Sequence, residues 1–177
     1  DNTGLLCFSG HKTLADIKAT LNLQHINLAP FALFIGPDAE VQGVLSANAE
    51  FTQRNGNINA TANVDAGHGF IRLLEDENEA LRISWQELNA EAALKDNRYQ
   101  AQIGFVMDEN NRIKANASGL LGDNANIDGL VSMHFNQLHW LELFAPVQDV
   151  KGNLSGEMRI SGKLDNPDVR GQLNLNQ

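Results

Sequence analysis

The sequence predicts an all-β fold, a mainly antiparallel meander of about ten strands with two short helices. Three observations carry this. Apolar and polar residues alternate with period two along most of the 177 residues, the mark of half-buried strands. Short polar turns separate the alternating stretches. The composition suits a broad sheet with a thin core: 21 residues are Asn and only 6% are aromatic. Asn competes with the backbone for hydrogen bonds, so turns and solvated faces tolerate it better than helix interiors do.

The elements follow in order. Ile17, Ala19, Leu21 and Leu23 share one face of a first strand. From Val41 to Phe51 the face holds Val41, Gly43, Leu45, Ala47, Ala49 and Phe51, with Gln42, Ser46, Asn48 and Glu50 opposite. Asn55-Gly56 is a strong hairpin signal. After it, Ile58, Ala60, Ala62 and Val64 alternate with Asn59, Thr61, Asn63 and Asp65. Leu81, Ile83 and Trp85 line the next strand, and Leu88, Ala90, Ala92 and Leu94 the one after. Residues 95–98 read as a turn, followed by Tyr99, Ala101, Ile103 and Phe105. Beyond a turn at 108–111 come Ile113, Ala115 and Ala117, and beyond one at 122–124 come Ile127, Gly129, Val131 and Met133. Leu154, Gly156, Met158, Ile160 and Gly162 precede a turn at 165–168, and Val169, Gly171, Leu173 and Leu175 close the series. One apolar face of this length must pack on a second sheet, close into a barrel or fold lengthwise over itself.

Two segments break the period. Residues 27–35 and 134–144 are dense in apolar residues at three-to-four spacing and read as helices of about two to three turns, ended by Pro37 and Pro146. They head an internal repeat offset by 109 residues, with units at 27–66 and 135–175: Phe31 matches Trp140, Pro37 matches Pro146, Gly43 matches Gly152 and Leu45 matches Leu154. A repeated unit implies an architecture that grows in one direction. The strand at 169–175 reads as a sheet edge that a longer parent would continue, and the chain reads as a cut-out or processed piece.

Composition excludes several classes. The formal charge of −9 repels phosphate, which argues against nucleic acid as a partner. One cysteine, Cys7, excludes an internal disulfide; between Leu6 and Phe8 it reads as a core residue. The five histidines form no HExxH motif, and neither G-x-S-x-G nor a P-loop is present. The run Glu75-Asp76-Glu77-Asn78-Glu79 lacks EF-hand spacing and reads as a solvated loop. The expectation is a non-enzyme with no catalytic residue, metal site or cofactor.

The stretch from Gly152 to Leu175, glycine, alternating strand, glycine, leucine, a turn with proline, glycine, alternating strand, resembles the C-terminal domain of the TamB family, within the wider AsmA-like group. The helix-proline-glycine unit from Phe135 to Gly152 fits the same pattern. The resemblance implies a single β-groove segment over residues 1–177, part of a longer periplasmic protein anchored in the inner membrane of a Gram-negative bacterium. It implies an elongated folded-over sheet, open along one side like a taco. It implies shielding of phospholipid acyl chains on their way to the outer membrane, a partner of the Omp85 type (TamA), and outer-membrane protein clients. On this reading the groove lining is Val41, Leu45, Ala49, Phe51, Ile58, Ala60, Ala62, Val64, Leu81, Ile83, Trp85, Leu88, Ala90, Ala92, Leu94, Tyr99, Ala101, Ile103, Phe105, Ile113, Ala115, Ala117, Ile127, Val131, Met133, Leu154, Met158, Ile160, Leu164, Val169, Leu173 and Leu175. Leu138, Trp140, Leu141 and Phe144 form a candidate partner face. Three roles stay open: a lipid conduit, an assembly module that pairs its sheet edges with client strands, and a structural spacer with a packed core.

Overall fold

The computed structural model describes residues 4–14, 16–73, 81–138 and 151–176. Ten strands form one open sheet in the order β1-β2-β4-β5-β8-β9-β10-β11-β12-β13. They are β1 (Leu5–Lys12), β2 (Asp16–Asn27), β4 (Val44–Arg54), β5 (Asn57–Ala66), β8 (Glu87–Lys95), β9 (Arg98–Asp108), β10 (Asn111–Leu120), β11 (Asn126–Phe135), β12 (Asn153–Lys163) and β13 (Asn166–Asn176). Every neighbouring pair is antiparallel. The fold is therefore all-β and mainly antiparallel, and the sheet does not close into a barrel.

Tight turns set the register. Asn55 and Gly56 both have positive φ, 49° and 84°, as do Asp96 and Asn97, 49° and 63°. Two successive left-handed residues give a turn whose twist matches that of the strands, which is why Asn, Asp and Gly occupy these places. The turn between β12 and β13 falls at Leu164-Asp165, earlier than the sequence suggests, so Pro167 lies inside β13. Its missing N–H is tolerated there because β13 is an edge strand.

A second sheet, absent from the expected meander, has three strands in the order β3-β6-β7: β3 (Ala39–Gln42), β6 (Gly69–Leu73) and β7 (Leu81–Trp85). That order mirrors β4-β5-β8. The three are continuations of those strands past breaks at Gly43, at Gly67-His68 and at Gln86. Ala66 and Gly69 sit on either side of one break, Trp85 and Leu88 of another, so these two breaks each carry one extra residue and act as bends, while β3 and β4 keep phase across Gly43. Gly43 and Gly69 make room for the Trp85 ring: a Cβ on Gly69 would clash with the indole and with the Gln42 carbonyl, and one on Gly43 would come within 3.1 Å of the indole and 3.2 Å of the Leu28 side chain.

The buried apolar residues are Val41, Ala66, Ile83, Trp85, Phe135 and Leu138. Val41, Ile83 and Trp85 are on the small sheet and the others at the adjoining end of the large one, so among the described residues the core is local, not continuous. The buried Asn111 braces the same end. Its Oδ1 accepts hydrogen bonds from the backbone N–H groups of Asn136 (2.9 Å) and Gln137 (3.3 Å), and its Nδ2 donates to Asp108 Oδ2 at 2.7 Å. Burial pushes the Asp108 carboxyl up, but hydrogen bonds from the Asn111 side chain and from the Asn110 and Asn111 backbone outweigh this and hold it below the usual range.

The first expected helix is present, shorter and of the 3-10 type, and the start of the second is corrected. Residues 29–34 form a 3-10 helix, Ala29–Phe34, with Pro30 in its first turn and Pro37 after it. In the second segment His134 and Phe135 belong to β11, paired with Ser155 and Leu154 of β12; the ladder and the burial of Phe135 outweigh the helical spacing. The remainder of that segment, 139–144, and the acidic run 75–79 lie outside the described residues. Cys7 is exposed on edge strand β1 instead of buried.

Two outcomes follow. Gly69→Ala forces the Trp85 ring or the β3 backbone aside and lowers unfolding stability by about 2–3 kcal/mol in urea titrations. Asp108 has a folded-state pKa below its unfolded value of about 3.9, so its stabilising contribution is complete above that value and is lost as pH falls through the folded one. The stability gap between wild type and Asp108→Asn therefore narrows below about pH 4 in pH-dependent denaturation curves.

Candidate functional site

Antiparallel pairing places partners on the same face, so the registers define rows that run across the sheet. One row is Phe8, Leu21, Ala49, Ala62, Ala92, Ala101, Ala117, Gly129, Ile160 and Val169, one residue from each of the ten strands. The next row is Leu6, Leu23, Ala47, Val64, Ala90, Ile103, Ala115, Val131, Met158 and Gly171. Toward the hairpin turns lies Gly10, Ala19, Phe51, Ala60, Leu94, Tyr99, Gly119, Ile127, Gly162 and Pro167. Toward the core lies Ile26, Leu45, Ala66, Leu88, Phe105, Ile113, Met133, Gly156 and Leu173. No position in these four rows carries a charge. Ile58 continues the face beyond Phe51 and Ala60, and Leu154 and Leu175 continue it beside Phe135.

The opposite face is polar. Its central row is Cys7, Asn22, Asn48, Asn63, Glu91, Gln102, Asn116, Leu130, Arg159 and Arg170. Cross-strand hydrogen bonds lace it: Asn63 Nδ2 donates to Asn48 Oδ1 at 3.1 Å, and Gln102 Nε2 to Glu91 Oε2 at 2.6 Å. Lys18 pairs with Glu50 at 2.7 Å and Arg159 with Asp128 at 3.1 Å. The high Asn content thus serves a solvated sheet face as well as the turns.

The apolar face is concave. A cavity of about 360 Å³ lies against it, bounded by Phe8, Leu21, Ala49, Phe51, Ala62, Leu94, Tyr99 and Ala101. These residues come from six neighbouring strands, which a flat sheet would spread over about 24 Å. Most of the lining is half-buried, and Ile103, Val169, Leu173 and Leu175 are more than half exposed. A larger concavity of about 1450 Å³ by the hairpin turns is lined by residues of both faces, among them Lys95, Arg98, Asp128 and Lys163 and also Tyr99, Leu120 and Ile127.

Most of the expected lining residues lie together in these rows. Five do not. Val41, Leu81, Ile83 and Trp85 stand on the small sheet, where Val41, Ile83 and Trp85 are buried as core, and Leu164 stands in the β12–β13 turn. The breaks at Gly43 and Gln86 move the first four off the groove. Leu138 is buried, not presented as a partner face. Trp140, Leu141 and Phe144 lie outside the described residues. Sequence reasoning missed β1, which brings Leu6 and Phe8 to the groove edge; Leu6, Phe8 and Gly10 do alternate with Cys7 and Ser9, and that was the available signal.

Residues 2–175 match the family model described as TamB, N-terminal domain. The chain belongs to the TamB family. Membership of the TamB family ties it to the translocation and assembly module of the cell envelope, in which the family functions with TamA. The match is to the N-terminal domain, which corrects the expectation of the C-terminal one. The pattern at 152–175 describes one hairpin of the sheet, β12–β13, and β4–β5 repeats it at the same 109-residue offset to within one residue at the end of β5. No solved structure matches the chain. Among the described residues no helix is long and apolar enough to cross a membrane.

A charge at the centre of the concave face tests whether the groove takes up apolar molecules. With Ala101→Asp, the fluorescence of the neutral apolar probe N-phenylnaphthylamine falls several-fold below wild type, while Gln102→Asp on the opposite face leaves it unchanged. Circular dichroism checks that both variants are folded.

Proposed function

We propose that this chain is a periplasmic segment whose apolar groove shields phospholipid acyl chains, supporting lipid movement from inner to outer membrane and outer-membrane biogenesis. One observation carries the reading: four uncharged rows cross an open sheet without interruption. Acyl chains on that face leave water at about 0.8 kcal/mol per buried CH₂. Headgroups stay in water at the open side. The binding is area-driven, so it needs no catalytic group, metal or cofactor and selects no single lipid.

A second reading is favoured by the sheet edges. All residues of β1 and β13 are exposed, and the outer edge of each lacks a ladder partner among the described residues. Such edges can add a strand of an outer-membrane protein client or of the Omp85-type partner by β-augmentation. This makes the chain an assembly module instead of a conduit.

Photocrosslinking in cells separates the two. Ile103 pairs with Ala90 and Ala115 on the apolar face, and Gln102 with Glu91 and Asn116 on the polar face. A probe at Ile103 captures phospholipid and a probe at Gln102 does not. Absence of a lipid adduct at Ile103 in the folded protein overturns the conduit reading; protein adducts at β1 or β13 then favour assembly.

A further inference from the structure

The connection from β2 to β3 presents a cluster of apolar side chains to solvent. Leu33 and Phe34 are 83% and 87% exposed, and Phe31 and Ile35 about half exposed. No charged residue occurs from Asn27 to Pro37. The turn is rigid. Asn27 Oδ1 accepts from the Ala29 N–H at 2.9 Å, Pro30 fixes the first turn, and the N–H groups of Ile35 and Gly36 both bond the Ala32 carbonyl. The rings of Phe31 and Phe34 stand 6.1 Å apart. Leu28 fastens the base, its N–H bonded to the Gly43 carbonyl at 3.0 Å beside the Trp85 ring. A flexible loop would collapse onto apolar surface; this one is held away from it.

Its occupant follows from area, shape and charge. The four side chains expose on the order of 500 Å², short of the roughly 800 Å² per partner in a stable protein interface. They protrude, so a partner must receive them individually, which a fluid apolar phase does without a matching groove. The chain carries −9 and Asp38 follows the turn, while the next acid, Glu40, is paired with Arg72, so among the described residues no free cation beside the turn favours a negatively charged surface.

We propose that the Leu28–Ile35 turn is a bilayer-insertion knob that seats this end of the sheet on a zwitterionic phospholipid surface, with Leu33 and Phe34 entering between the headgroups. Burial of a few apolar side chains gives reversible interfacial binding of this kind. The inference rests on the turn alone and holds whether or not the groove carries lipid.

The test is flotation of the 177-residue chain with phosphatidylcholine vesicles. Wild type floats, and L33D/F34D partitions at least tenfold less. Both sites are exposed, and matched thermal melts check that the fold is kept. In a second measurement, L33W is quenched by brominated phosphatidylcholine beyond the wild-type level. Addition of phosphatidylglycerol leaves binding unchanged or weaker. Wild type that stays in the dense fraction, L33D/F34D that floats equally, or binding that requires phosphatidylglycerol overturns the proposal. So does a wild-type dimer that the double variant abolishes without any vesicle binding, since the knob then serves a second copy. Lipid adducts at Ile103 are unaffected by any of these results, so the two readings fail separately.

Discussion

The structure depends on the registration of ten strands so that one face stays apolar. In a pleated strand a slip of one residue exchanges the faces. Here such a slip would move a column of Ala, Val and Leu into water and bring Asn, Glu and Gln to the concave side. The cost rises with every strand, because each is paired on both sides except β1 and β13. Local chemistry enforces the register. The left-handed pairs at Asn55-Gly56 and Asp96-Asn97 allow only two residues between strands. Cross-strand contacts on the polar face, such as Asn48 with Asn63 and Glu91 with Gln102, are satisfied in this alignment.

The same constraint explains where the core lies. A one-layer sheet cannot bury its apolar face unless something covers it. At one end the strands β4, β5 and β8 bend at their breaks and their continuations provide cover, with Trp85 seated against Gly43 and Gly69. Over the rest of the face the side chains remain half-buried. Ordinary globular packing would bring a second layer over them. Its absence among the described residues separates a groove from a sandwich, and it leaves stability resting on the ladders and on one packed end.

Much of this was legible in the sequence because period two is insensitive to tertiary context. The strands β4, β5, β8, β9, β10, β11, β12 and β13 fall where the alternation places them. What was not legible arises where a single residue changes the phase. Gln86 lets Trp85 and Leu88 face inward although they are three apart, and the two strands it separates, read as successive members of one meander, belong to different sheets. Alternation identifies inward residues but not what lies over them, and so Ile83 and Trp85 read like Leu88 and Ala90. The start of the second apolar segment misled for a different reason. Three-to-four spacing suits a helix only if one of its faces is buried, and Phe135 is held by a ladder instead.

Curvature is the last link between sequence and groove. Bending a sheet across its strands brings the side chains of the concave face together, at the middle of the strands as elsewhere. At the middle the residues from β4 to β11 are Ala49, Ala62, Ala92, Ala101, Ala117 and Gly129. Larger side chains, Phe51, Leu94, Tyr99 and Ile127, occupy the row nearer the turns. A face built of Val and Ile throughout would be more apolar, but it would fill the concavity and press the sheet flat. Small residues along the middle therefore give up local burial so that the sheet can curl, and the space they leave is the cavity bounded by Phe8 on one side and Tyr99 on the other. The low aromatic content and the abundance of alanine, which suggest a weak core when read as composition, are what a curved one-layer sheet requires.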